Sequence, residues 1–312
     1  MNNKIKLLTT SQLDDRKKLK ELTYWLRVMN RPNGWHYDLD HIWILEELEK
    51  SAITKGSTII DAGAGQGIMQ YLLAARGYNV ISLDFTSRNP PPRAHGIFKI
   101  IAEEKSEINY QHPYMKFISY GTDGFRNIFK KINIHNFSKI FELPARCFRL
   151  AHSYLYYLYE RYFRNHENFG VITYVRAPFH DIPLESNIAD AIISVSAIEH
   201  ADIKLFIENI NSLTRLLKPD SPLLLTTSAT SQLDNHYDYQ VEGWCFSRTG
   251  LVTYFPDCDL DFNVSECEQS FFNSKTFYHR LDPYYYKNPK SPFFRKKFTD
   301  LPYLPVSIKI LK

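Results

Sequence analysis

The stretch Asp61-Ala62-Gly63-Ala64-Gly65-Gln66-Gly67 constrains this chain more than any other seven residues. It follows the short β-branched run "STII" (57–60) and precedes Ile68, Met69, Leu72 and Leu73, which share one helical face. A strand that turns through alternate glycines into a helix lets its backbone approach a ligand where a Cβ would collide. Gly77 then stops the helix, and "NVISLD" (79–84) reads as a second strand ending in an acid. Such alternation predicts a mostly parallel sheet with helices on both faces, an α/β fold.

The alternation pauses after Thr86 and resumes with strands at "VITYV" (171–175), "ADAIISV" (189–195) and "LLLTT" (223–227). Between the last two, Ile203, Phe206, Ile207, Ile210, Leu213 and Leu217 line one helical face, with Asp202 at its start and Pro219 beyond its end. Upstream, Leu19, Leu22, Leu26 and Met29 predict a helix within 11–30, and Asp38 caps a second through Lys50. Downstream, a helix is expected near Ser247–Tyr254 and weaker strands near 262–267 and 305–310. The organisation expected is an N-terminal helical cap (1–56), a core (57–85 and 170–312) and a mainly helical insertion (86–169).

The loop's spacing is G-x-G-x-G, and Ile68 stands where the last glycine of a dinucleotide fingerprint would fall. Asp61 would face a phosphate badly but would help hold an ammonium group. Asp84 can accept both hydroxyls of a ribose. A ligand with an ammonium, a ribose and no phosphate is S-adenosylmethionine.

At these residues the chain resembles the class I S-adenosylmethionine-dependent methyltransferases. Three further stretches are similar to that family in the right order: "APFHDIPLESNIADAIISVSAIEHADI" (177–203), "LTRLLKPDSPLLLTTS" (213–228) and "EGWCFSRTGLVTYFP" (242–256). The resemblance implies a Rossmann-like fold with a mostly parallel seven-stranded sheet. It places S-adenosylmethionine against Asp61, Gly63, Ala64, Gly65, Gly67, Asp84, Phe85 and Ser196. It puts Asp181 at the adenine amino group and the Ile182 backbone N–H at the ring. The Glu199-His200 pair resembles the small-molecule branch that includes the ubiquinone-biosynthesis type. The insertion departs from the family, which usually needs only a short helix there.

In-line methyl transfer requires alignment and, for a hydroxyl acceptor, a base; no metal is expected. The four cysteines form no C-x-x-C pair. His200, after the fourth strand, and His236, in "DNHYDY", are the candidate bases, each of which also reads as an ordinary packed or solvated histidine. His36, in "NGWHYD", is placed to close over the donor with Trp35 and Tyr37.

A net charge of +4 does not make nucleic acid the default partner. "NPPP" (89–92) follows the wrong strand for an amino methyltransferase of nucleic acids and lacks an aromatic to stack a flipped base. Yet residues 126–164 hold eight Lys/Arg against two Asp/Glu, and 145–165 interleave Arg with Tyr and Phe. That insertion reads as a lid, as a surface for anionic lipid head groups, or as an RNA contact. The patch "YKNPKSPFFRKKF" (286–298) reads as a solvated loop. With no apolar run long enough for a secretory signal or a span, a cytoplasmic setting is expected, with peripheral contact at the inner membrane face. The expected activity is methylation of a small molecule or glycan, at oxygen. An RNA methyltransferase, a donor-binding protein without turnover and, more remotely, a nicotinamide oxidoreductase are the rivals.

Overall fold

The computed structural model describes residues 3–101, 137–239, 242–275, 277, 286–287 and 301–312, with backbone alone over 137–146. Nine strands among these form one sheet. They are β1 (Lys4–Leu7), β2 (Thr58–Ala62), β3 (Asn79–Asp84), β4 (Ile100–Ile101), β5 (Ile172–Arg176), β6 (Ala191–Val195), β7 (Pro222–Ala229), β10 (Asp259–Asp261) and β11 (Leu304–Leu311). A separate antiparallel ribbon pairs β8 (His236–Asp238) with β9 (Gly243–Cys245). The sheet order is β10-β1-β11-β7-β6-β2-β3-β5-β4. From β4 to β7 every pairing is parallel, and β11 is antiparallel to both its neighbours. The fold is the Rossmann-like methyltransferase type, with two strands more than the seven expected.

The central strands are buried on both faces, as their unbroken apolar runs require. The helices that cover them are α1 (Arg16–Val28), α2 (Tyr37–Lys50), α3 (Met69–Ala75), a short α4 (Pro92–His95), α5 (Phe137–Phe163), α6 (Phe206–Leu216), α7 (Arg248–Tyr254) and α8 (Val264–Phe272). In α6, Phe206, Ile210, Leu213 and Leu216 are buried. Each such side chain contributes about 1.5–3 kcal/mol, so packing rather than intrinsic propensity holds a helix this short. Its expected first turn, from Ile203, is a separate 3₁₀ turn capped by Asp202, whose side chain accepts from Lys204 N.

Three elements differ from expectation. Residues 4–7, inside the segment read as a helical cap, form a strand because Ile5 and Leu7 point inward while Lys4 and Lys6 stay exposed. The strand expected near 262–267 is helix α8. Asn263 caps it by accepting from Glu266 N at 3.2 Å, and Cys267 and Phe271, four apart, are its buried face. Within the segment read as an insertion, Ile100–Ile101 adds an edge strand beside β5.

Helix α5 is anchored on α1. The Ser153 hydroxyl donates to Arg27 O (2.6 Å), and the fully buried Glu160 accepts from the Tyr24 hydroxyl. Residues 102–136, the rest of the insertion, and most of the 286–298 patch lie outside the described residues. No described helix is long and apolar enough to cross a membrane.

Gly170 marks where the insertion rejoins the sheet. Its N–H donates to Ala74 O at 2.8 Å, and a Cβ there would stand 1.8 Å from Tyr78 O. That neighbour is backbone at the start of β3 and cannot swing away. Gly170→Ala is therefore expected to destabilise the fold by on the order of 3 kcal/mol, read as a lower urea midpoint at unchanged slope. An unaltered midpoint would show that the junction yields freely.

Candidate functional site

Sequence order and sheet order diverge at β2. The chain runs outward from β2 through β3 to β5, then returns to β6 on β2's other side. Ligands of open α/β sheets bind in the crevice that such a reversal leaves beyond the strands' carboxyl ends. Gly63 leaves β2 at that point with φ +72°, a left-handed conformation that glycine adopts without penalty. A Cβ on it would stand 2.4 Å from the Ala197 Cβ and 3.1 Å from the Phe179 ring. Only glycine fits between the exits of β2 and β6.

The loop is tied to β3. The N–H groups of Gly63 and Ala64 donate to Leu83 O at 2.9 and 3.1 Å, and Gly67 N donates to Ala64 O at 2.8 Å. The buried Asp84 carboxylate accepts from Gly65 N (2.8 Å) on one oxygen and from Thr86 N and Oγ1 (2.8 and 2.6 Å) on the other. Asp84 thus shapes the loop from the end of β3. Phe85 follows it at the rim, half-exposed, its carbonyl accepting from Arg176 Nε at 3.3 Å.

Asp61 is almost fully buried, and its Oδ2 has no hydrogen-bond partner. Burial pushes its carboxyl up to about 7; the Arg88 guanidinium pulls it down, and the Asp84 carboxylate adds to the rise. Arg88 lies outside the residues that the sequence singles out. It crosses beneath the loop, donating to Gly65 O (3.1 Å), Ser82 Oγ (2.8 Å) and Ser82 O (2.6 Å), with its guanidinium 5.0 Å from the Tyr174 ring centre. Arg31 reaches the loop from the other side, donating to Gln66 Oε1 at 2.6 Å. Both follow turns, and nothing in their spacing points toward the loop.

Beyond β6 lies a second buried polar group. Ser196 is held at φ +43°, unusual for a non-glycine, by a bond from its N–H to Thr226 O at 3.0 Å. Its hydroxyl lies 3.5 Å from Asp40 Oδ2, and His36 Nδ1 lies 2.8 Å from the same oxygen without the alignment of a hydrogen bond. Asp40 and His36, at the start of α2, are buried, and Asp40 Oδ1 is unpartnered. Glu199 is buried beside them, accepting from Thr227 Oγ1 at 3.0 Å; desolvation raises its pKa, against the charge of neighbouring His200. His200 itself is exposed, with Nδ1 2.8 Å from Glu242 O.

The expected residues therefore gather unevenly. Asp61, Gly63, Ala64, Gly65, Gly67 and Asp84 form one loop, and Ser196 and His36 meet through Asp40 across the β6 exit. Tyr37 packs against His36, ring centres 4.9 Å apart. Asp181 is exposed in the turn after β5, while the next residue, Ile182, is buried. His236 lies in the ribbon, away from the glycine loop. Asp40, Glu199 and Thr227 complete a cluster whose members come from α2, the turn after β6 and β7, a convergence that no local spacing announces.

A groove of about 540 Å³ lies elsewhere, lined by Lys18, Glu21, Tyr24, Glu49, Arg76 and Phe169 among others. Arg76, at the end of α3, and Phe169, just before β5, place it at the opposite, amino ends of the strands. Arg76–Glu21 (2.6 Å), Arg76–Glu49 (3.0 Å) and Lys18–Glu49 (2.8 Å) pair its Arg76, Lys18, Glu21 and Glu49 charges with one another.

A family model described as a methyltransferase domain matches residues 42–261. No curated protein matches the chain. Solved structures resemble it along most of its length at low identity. The cyclase SpnF is 10% identical over 99% of this chain and 98% of its own, with a TM-score of 0.48. Phosphoethanolamine N-methyltransferase 2 of Haemonchus contortus, bound to phosphomonomethylethanolamine and S-adenosylhomocysteine, is 12% identical over 97% of this chain and 60% of its own (TM-score 0.46). Geranyl diphosphate C-methyltransferase of Streptomyces coelicolor is 11% identical over 99% and 90% (TM-score 0.39). The cofactor is S-adenosylmethionine, and the residues fit it: an orphaned buried carboxylate oxygen on Asp61 and a crevice that a Cβ at Gly63 would fill.

Asp61 titrates higher in the folded chain than its ordinary 3.8, so it withdraws stability as pH rises from there through about 7. At ~1.4 kcal/mol per tenfold change in equilibrium, keeping it ionised costs on the order of 4 kcal/mol. An ammonium placed beside it favours the ionised form, and binding then releases a proton. S-adenosylhomocysteine affinity, measured by calorimetry, is expected to climb with pH up to about 7 and level off above. Asp61→Asn should flatten that slope, weaken binding and raise the melting temperature in alkaline buffer. A wild-type affinity independent of pH would separate Asp61 from the ligand.

Proposed function

Because this chain belongs to the methyltransferase-domain family, we propose that it methylates an oxygen of a small molecule or glycan, with Glu199 as the base. S-adenosylmethionine supplies a methyl group already activated on a sulfonium. The chain's own work is to align the acceptor and remove its proton. A hydroxyl needs that proton taken far more than a phenol or an amine does.

The observation that carries the reading is Glu199, a buried carboxylate of raised pKa two residues beyond Ala197, which walls the crevice at Gly63. A base poised nearer neutrality than an ordinary carboxylate suits alcohol chemistry. Asp40 and His36 orient the acceptor from α2, and Ser196 supplies a hydroxyl between them. His200, exposed next to Glu199, passes the proton to solvent. His236 has no proton to move in this reading. Asp61 faces the cofactor's ammonium group, Asp84 its ribose, and Asp181 and Ile182 its adenine, between walls formed by Ala64, Phe85 and Tyr37. The Glu199-His200 pair also supports a place in the small-molecule branch of the family.

One feature favours an acceptor met at an anionic lipid surface, in the cytoplasm at the inner membrane face. On α5, Phe148, Leu155, Tyr159 and Tyr162 fall on one stripe and are 71, 63, 52 and 64% exposed, a lipid-facing composition rather than a solvated one.

Methyl-labelled cofactor incubated with a fractionated cell extract tests the activity. Label is expected in the glycan, lipid-linked or small-molecule fraction, bound to oxygen. Label in RNA would overturn the acceptor class. Glu199→Gln should lower turnover by about a hundredfold or more while S-adenosylhomocysteine binding stays intact. His200→Ala should cost less, because water can replace an exposed relay. Undiminished turnover in Glu199→Gln removes the base.

A further inference from the structure

The ribbon of β8 and β9 stands outside the main sheet and takes no part in holding the cofactor loop. Its register pairs His236 with Cys245, Tyr237 with Trp244 and Asp238 with Gly243. Residues two apart on a strand share a face, and directly paired residues share one too. His236, Asp238 and Cys245 therefore project together, while Tyr237 and Trp244 pack edge to face on the other side, ring centres 5.6 Å apart. One donor atom from each of the three lies within 4.8 Å of the others.

Taken alone, this trio is poorly matched. Cys245 is fully buried, its sulfur on the face of the ribbon that His236 and Asp238 share. His236 Nδ1 is buried without a hydrogen-bond partner. A thiol, an imidazole and a carboxylate facing one point are a ligand set for a borderline-soft divalent cation. Hard cations such as magnesium and calcium choose oxygen alone. Tetrahedral zinc, with bonds of about 2.0–2.3 Å, sets its ligand atoms about 3.3–3.8 Å apart, so the ribbon needs to close by about an ångström.

We propose that His236, Asp238 and Cys245 bind one zinc ion on this ribbon. The imidazole nitrogen, the carboxylate oxygen and the Cys245 sulfur replace three water ligands, the thiol proton passes to solvent, and a fourth position stays with water. The expectation of no metal rests on the chemistry of methyl transfer and on the missing C-x-x-C pattern, and neither bears on this ribbon. Here the ligands follow H-x-D across one strand and meet a cysteine that only hairpin register brings opposite.

The consequence of occupancy is positional. A Cβ on Gly243 would meet Glu199 Cγ at 3.2 Å and the His200 ring at 3.3 Å, and Glu242 O holds His200 Nδ1 at 2.8 Å. The ribbon is thus the cover over these two residues. Joining its two strands through a metal fixes that cover. The inference does not depend on the acceptor or on Glu199 being a base.

The full-length protein, stripped with a chelator and titrated with cobalt(II), tests it. One equivalent is expected to give a thiolate-to-cobalt charge-transfer band that zinc abolishes. The band should vanish in Cys245→Ser and persist in Cys147→Ser, whose thiol is exposed. His236→Ala and Asp238→Asn should each weaken binding by at least roughly tenfold. No band, or a band lost only in Cys147→Ser, overturns the proposal. Should Cys245→Ser fail to fold, the other two variants decide, and wild-type cobalt affinity in both also overturns it.

Discussion

The contact that the rest of the site depends on is the approach of Gly63 to Ala197. Two parallel strands that are neighbours in space but distant in sequence send their chains away in different directions, and a crevice opens between them. Its width is set by the smallest side chains available, none on Gly63 and a methyl on Ala197. With a Cβ on Gly63, β2 and β6 could not both keep their exits. Everything else that meets at the crevice is arranged around that clearance: the loop clipped to β3 by Leu83 O, Asp84 folded back onto Gly65, and Phe179 closing from beyond β5.

Around the crevice the chain accepts a local cost that it avoids elsewhere. Helix α2 is buried on nearly every side, and its apolar residues from Leu39 to Leu48 account for most of that burial. Yet its first turn also buries His36, Asp40 and His41, and burial drives the His41 imidazole down to about 4. Asp61 and Glu199 are pushed the other way for the same reason. Buried polar atoms without partners are usually eliminated. Here several lie within one neighbourhood, at the carboxyl ends of the central strands. Disagreement between burial and polarity concentrated in one place is what a ligand site does to an otherwise consistent fold.

How far the sequence reveals this depends on how local the determinants are. The glycine loop, the strand before it and the helix after it are written in adjacent residues, and "NVISLD" ends at an acid that meets the loop. The amphipathic helix beginning at Phe206 and the strand over 304–311 are legible for the same reason: their period is their own. The segment at 262–267 is not, because "FNVSEC" alternates well enough for a strand until Asn263 and Glu266 are read as a cap. The strand at Lys4–Leu7 escapes notice because four residues carry little periodicity and its partners, β10 and β11, lie near the other end of the chain.

The two sides of the crevice differ in the same respect. Asp61, Gly63, Gly65 and Asp84 lie within one strand–turn–helix–strand unit, so geometry that short-range chain stiffness imposes brings them together. His36, Asp40, Ser196, Glu199, Thr227 and Gly243 come from five separate elements or turns, and only the finished sheet assembles them. A cofactor common to many chains can be held by a short reusable segment. Groups gathered from that many segments take positions and angles that no single segment supplies, set by how α2 and the ribbon pack on the sheet. The same sequence therefore announces its cofactor in seven residues and distributes the buried polar cluster beside that loop across about two hundred.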